Sequence, residues 1–95
     1  MNLLNKNELL KLLDSPDIEN RKIAETYLLS NFNLDFQVRY GVNTFTLKPF
    51  FEIDYSKNKL YTHSVKQLLY WIINDELSKT HLKLLLDKIY EYNNK

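Results

Sequence analysis

Apolar residues recur along the chain first at a period of 3.6, then at a period of 2, then at 3.6 again. That order predicts helices, then strands, then helices. Leu9, Leu12 and Leu13 fall at i, i+3 and i+4 and share one helical face. Asn5 precedes them, and Glu8 three residues later completes the spacing of a capping box, with Asn in place of Ser or Thr. Ser15-Pro16-Asp17 signals a second helix start, with Ser15 as N-cap, Pro16 at the first helical position and Asp17 complementing the dipole. Ile23, Ala24, Tyr27 and Leu28 make the expected buried stripe of that helix, which fades near Asn31. So short a connection predicts an antiparallel helical hairpin.

From Phe32 onward the period changes. Phe36, Val38 and Tyr40 alternate with Asp35, Gln37 and Arg39, the pattern of a half-buried strand. The alternation resumes at Phe45 and Leu47 beyond Gly41-Val42. A two-residue turn at Gly41-Val42 opposes Val38 to Phe45 and Phe36 to Leu47, and it puts the single glycine where a type II′ turn wants it. A four-residue loop keeps the same faces, whereas a three-residue loop opposes Val38 to Thr46; the two-residue turn is the expected one. Pro49 bends the chain into a third strand with Phe51, Ile53 and Tyr55 on its inner face and Glu52 and Asp54 outside. A turn at Lys57-Asn58 then pairs Tyr55 with Leu60 and Ile53 with Thr62.

Ser64 is the expected N-cap of a returning helix whose stripe is Val65, Leu68, Leu69 and Ile72, widened by Trp71 and Ile73. After Asn74-Asp75-Glu76, Ser78 or Thr80 caps a last helix with Leu82, Leu85, Leu86 and Ile89 on its apolar face. The tail Asn93-Asn94-Lys95 is expected to fray. The predicted class is α+β: an N-terminal helical hairpin, a three- to four-stranded antiparallel β-meander, and two C-terminal helices packed on one sheet face. Residues 1–95 form one domain in this reading, because no linker is long enough to divide them.

The stretch from Leu9 to Ala24 (LLKLLDSPDIENRKIA) resembles one HEAT-type helical repeat, with a leucine-rich first helix, a Pro-Asp turn, and then Arg21 and Ala24 on the second helix. The resemblance covers the first third of the chain and is of low specificity. It implies a helical hairpin, a shape often used for protein contacts, and says nothing of activity. It ends where the strands begin, whereas a solenoid needs about three stacked repeats. The opening also resembles that of short proteins from phages and AT-rich bacteria.

Composition then removes whole classes of chemistry. The formal charge is +1, against the strong basic excess that phosphate neutralisation asks of a dedicated nucleic-acid binder. With no cysteine there is no disulfide, thiolate metal site or cysteine nucleophile. One glycine cannot build a P-loop, a dinucleotide fingerprint or a nucleophile elbow. No apolar run reaches the roughly 18 residues of a membrane span, and the first residues lack a signal peptide's apolar region, so the expected setting is cytoplasmic.

The remaining candidates are surfaces. In the expected register His63 lies opposite Glu52, with Asp54 nearby, which is a metal-assisted or acid–base grouping if a third ligand joins it and an ordinary cross-strand charge pair if none does. Glu52 and Asp54 share a strand face in the manner of a glycosidase pair, but Arg39 and Lys48 are positioned to neutralise them. Arg39, Lys48, Phe50 and Tyr61 on the open sheet face could stack and pair with single-stranded RNA or DNA. Tyr70, Tyr90 and Tyr92 lie off the main stripes of the last helices, and Arg21 sits on the helical hairpin; these four residues are the expected protein-contact positions. The sequence thus points to a non-enzymatic protein–protein interaction module, such as a phage or mobile-element accessory or inhibitor protein, with nucleic-acid binding as the alternative. It implies no catalytic residue, no metal and no cofactor. The expected partner is a protein, a second copy of the chain included.

Overall fold

Asn5 opens the first helix through both halves of its box: its side chain accepts from the Glu8 amide at 2.8 Å, and the Glu8 carboxylate accepts from the Asn5 amide at 3.4 Å. This fixes α1 at Lys6–Leu13, and Leu9 and Leu13 are buried along it. The computed structural model describes residues 4–55, 62–74 and 81–94. The second helix, α2, spans Ile18–Asn31, and its N-cap is Asp17 rather than Ser15. Ser15 instead folds the connection, its hydroxyl accepting from the Asp17 amide and the Asn20 side chain. Ala24 and Leu28 are buried as expected, but Ile23 is exposed and Arg21 takes the inward position.

Three strands follow: β1 at Gln37–Val42, β2 at Pro49–Asp54 and β3 at His63–Ser64. Then come α3 at Val65–Ile73 and α4 at Leu82–Asn93. The described chain is therefore α+β, with four helices and one antiparallel three-stranded sheet.

Strand order departs from a meander. It runs β2-β1-β3, so the last strand pairs with the first and not with its predecessor. Val38 opposes Ile53 on one side and His63 on the other, so the expected Ile53–Thr62 pairing is not formed. The Lys57-Asn58 turn, Leu60, and the Ser78 and Thr80 caps lie outside the described residues.

The β1–β2 connection is not the two-residue turn at Gly41-Val42. Both residues belong to β1, and the chain reverses over residues 43–48. Asn43 decides the matter. Its side-chain oxygen accepts from the Phe45 and Thr46 amides at 2.8 and 3.1 Å, and its carbonyl accepts from the Leu47 amide at 2.8 Å. Such an Asx turn competes directly with strand geometry. Its amide in turn donates to the Lys48 carbonyl at 2.9 Å, closing the ribbon. Because hydrogen-bonded and open pairs alternate in an antiparallel ladder, the Pro49 nitrogen then points away from β1, where its missing proton costs nothing. Gly41 serves a different purpose from a turn glycine. A Cβ there would come within 3.3 Å of the Phe50 ring.

Val38, Tyr40, Phe51, Ile53 and His63 share the inner sheet face. Against it, α4 packs on β2, α3 joins β3, and α1 and α2 close the far side through contacts with α4 and α3. The Val65 amide donates to the Phe36 carbonyl at 3.2 Å, which satisfies the start of α3 even though the Ser64 side chain makes no cap bond. The three leucines and one isoleucine expected on the apolar face of the last helix, Leu82, Leu85, Leu86 and Ile89, are all buried. Of the tail expected to fray, Asn93 is held in place and Lys95 lies outside the described residues. Asn93 ends α4 with its side chain accepting from the Asn33 amide at 2.7 Å and donating to the Asn33 and Ile89 carbonyls.

Candidate protein-docking surface

Placing the chain reversal at residues 43–48 turns two residues expected in the core outward. Phe45 is 95% exposed and Leu47 is 77% exposed. Val42 and Phe50 add exposed apolar surface at the base of the same hairpin. The loop that carries them is internally hydrogen-bonded: the three bonds to Asn43 are joined by one from the Lys48 amide to the Thr46 hydroxyl at 3.4 Å. Leu47 also holds a left-handed backbone conformation, with φ +56°. A non-glycine residue there costs roughly 1–2 kcal/mol. Strain of this kind clusters where a surface is preorganised for contact.

The residues expected to bind protein are dispersed. Arg21 is only 4% exposed and is spent internally: its Nε donates to the Ile73 carbonyl and an Nη donates to the Ser15 carbonyl, both at 2.8 Å. That corrects the expectation that Arg21 presents a contact surface. Tyr70 is 53% exposed on α3, but Tyr90 and Tyr92 belong to other contacts. Tyr90 packs 5.1 Å from the Phe32 ring with the Lys6 ammonium 5.6 Å from its own ring. Burial pushes the Tyr90 phenol above its usual range, the Tyr27 phenol adds to the shift, and the Lys6 cation opposes it. Tyr92 stacks on Phe36 at 4.0 Å and lies 6.4 Å from Tyr55.

The alternative nucleic-acid face is charge-compensated. Arg39 opposes Glu52 across the β1–β2 ladder, and its guanidinium lies 3.8 Å from the Asp54 carboxylate, whose side chain is buried. Lys48 belongs to the turn, Phe50 covers Gly41, and Tyr61 lies outside the described residues. The grouping of His63 with Glu52 and Asp54 is not assembled. Glu52 and Asp54 sit on the outer face of β2, whereas His63 sits on the inner face of β3, and β1 runs between them. No group of three or more metal-ligating side chains occurs among the described residues.

Both histidines instead join the inner aromatic layer. His63 lies 4.6 Å from the Tyr40 ring and 6.3 Å from Trp71, and His81 lies 5.7 Å from Phe51 and 6.0 Å from Tyr40. This corrects the reading of His63 as outward-facing. At the end of the ribbon away from the turn, Phe36, Tyr55 and Tyr92 line an open cleft of about 510 Å³ with Asp35, Gln37, Asp54 and Ser64. No helix of the described residues is long and apolar enough to cross a membrane.

Phe45 and Leu47 are the positions that sequence reasoning missed. The signal was Asn43 followed by Thr44 and Thr46, a turn-forming set, but Thr-Phe-Thr-Leu also alternates as a strand does. No protein-family model, curated protein or solved structure matches the chain.

Proposed function

We propose that this chain is a non-enzymatic protein-interaction module that docks through the tip of its β1–β2 hairpin. The observation that carries the reading is the pair of large apolar side chains, Phe45 and Leu47, held out on a hydrogen-bonded and locally strained loop. Phenylalanine and leucine each gain roughly 1.5–3 kcal/mol on full burial, so a recess that takes both gains a large share of a micromolar binding energy. The ordered loop lowers the entropy lost on docking, which is the usual route by which a small surface acquires useful affinity. A convex tip suits a concave partner, as an accessory or inhibitory chain requires when it occupies a larger protein's recess.

The test compares the native chain with F45A/L47A and, as a control on another surface, I23S. Each is immobilised, captured proteins are identified quantitatively, and the leading candidate is purified for titration. The expected outcome is a saturable complex with the native chain and I23S, weakened roughly 100-fold or more in F45A/L47A. Equal affinity for all three chains would move the contact elsewhere. Binding of single-stranded RNA at low salt that is lost in R39E/K48E would favour the nucleic-acid alternative instead.

A further inference from the structure

The tip and the aromatic cleft lie at opposite ends of one ribbon. The turn at residues 43–48 closes the far end of β1 and β2, while Gln37, Asp54 and Tyr55 open into the cleft at the near end. Six strand residues separate the two, roughly 20 Å at the usual rise. A chain therefore cannot fill its own cleft with its own tip, but a neighbouring copy can. We propose that the chain associates with itself head to tail, Phe45 and Leu47 of one copy entering the Phe36–Tyr55–Tyr92 cleft of the next. This rests on the reading of the tip as a docking element and adds the identity of an occupant.

Size, chemistry and charge agree. A cavity of about 150 Å³ holds a benzene ring, so a cleft of about 510 Å³ has room for a phenyl ring and a leucine side chain. The ring already has partners of its own kind there, since Tyr92 stacks on Phe36 and Tyr55 lies beside it. Lys48 follows Leu47 on the tip, and Asp35 stands at the cleft with its side chain 76% exposed even while it pairs with Lys66 at 2.7 Å. The incoming cation thus meets an accessible carboxylate. Two side chains offer far less than the roughly 800 Å² per partner of a standard interface, so the association is weak and reversible. A tip-to-cleft contact is heterologous and leaves one free tip and one free cleft at the ends, so it grows into chains unless the rotation closes a ring.

Sedimentation velocity and light scattering between about 10 µM and about 1 mM test the proposal. The native chain should show an average mass that rises with concentration and passes the dimer value. A tip variant, F45D/L47D, and a cleft variant, D35K/Y55K, change exposed positions only, and circular dichroism checks that both stay folded. Each should be monomeric alone. Mixed in equal amounts they should form a heterodimer and nothing larger, because one intact tip meets one intact cleft. A native chain that stays monomeric at about 1 mM overturns the proposal, as does assembly that survives F45D/L47D or a mixture that fails to pair. A native monomer that still captures another protein through Phe45 overturns self-docking while leaving the docking function standing.

Discussion

Arg21 brings a guanidinium into the interior and makes it useful there. The Ile73 carbonyl it meets belongs to the last residue of α3, where helical carbonyls lack partners and the helix dipole favours a cation. The Ser15 carbonyl belongs to the α1–α2 connection, so a single side chain ties that connection to a helix 52 positions downstream. Removing it strands at least one buried acceptor, and R21A should cost roughly 2–3 kcal/mol in urea denaturation. R21K should recover less than half, because an ammonium lacks the planar fork that reaches both carbonyls. Tyr90 supplies a second residue-level prediction. Its phenol is pushed above the usual tyrosine value near 10 by burial, so the folded state prefers the neutral form. The resulting stability is present in full below the unfolded value and is lost as pH rises through the folded one. Stability measured between about pH 9 and pH 11 should fall more steeply in the native chain than in Y90F. Equal slopes would show that Tyr90 is not the source.

Among the elements, the hairpin tip separates stability from function. L47G removes the penalty of a left-handed leucine and also removes an apolar docking side chain. It should leave stability unchanged or raise it by up to about 1 kcal/mol while weakening docking, a combination that destabilising substitutions do not produce. N43A removes the acceptor for two loop amides and should cost about 1 kcal/mol. This same turn marks where sequence reading stops being sufficient. The capping box at Asn5 and the stripe from Leu82 to Ile89 were legible because their causes lie within a turn or two of helix. The end of β1 was not, since Thr44-Phe45-Thr46-Leu47 satisfies the strand period equally well and a local Asx turn overrides it. Pairing of β1 with β3 depends on residues some 25 positions away, and no local pattern distinguishes it from a meander. Arg21 was read as surface for a related reason: a charge on a helix is normally solvated, and only the approach of α3 gives it buried acceptors.

At the level of the whole molecule, the N-terminal helices are held to the rest by contacts of several kinds. Lys6 forms an ion pair with Asp87 and approaches the Tyr90 ring, Asn93 closes on Asn33, Arg21 reaches Ile73, and one contiguous apolar cluster runs from Leu9 to Ile89. A HEAT-like pair stacked on the chain as a separable unit would lack these ties and would melt on its own. The interlocked arrangement predicts a single cooperative transition. Trp71 lies in α3 and reports the C-terminal half by fluorescence, whereas far-ultraviolet circular dichroism weighs all the helices together. The two denaturation curves should therefore coincide. R21A is the informative perturbation, because the side chain it removes bonds the Ile73 carbonyl on one half and the Ser15 carbonyl on the other. If the halves fold together, both curves move by the same amount, and thermal midpoints fall by roughly 4–8 °C for each kcal/mol lost. If the first two helices were an independent unit, circular dichroism would show an early phase that Trp71 does not see, and R21A would widen the gap between the probes.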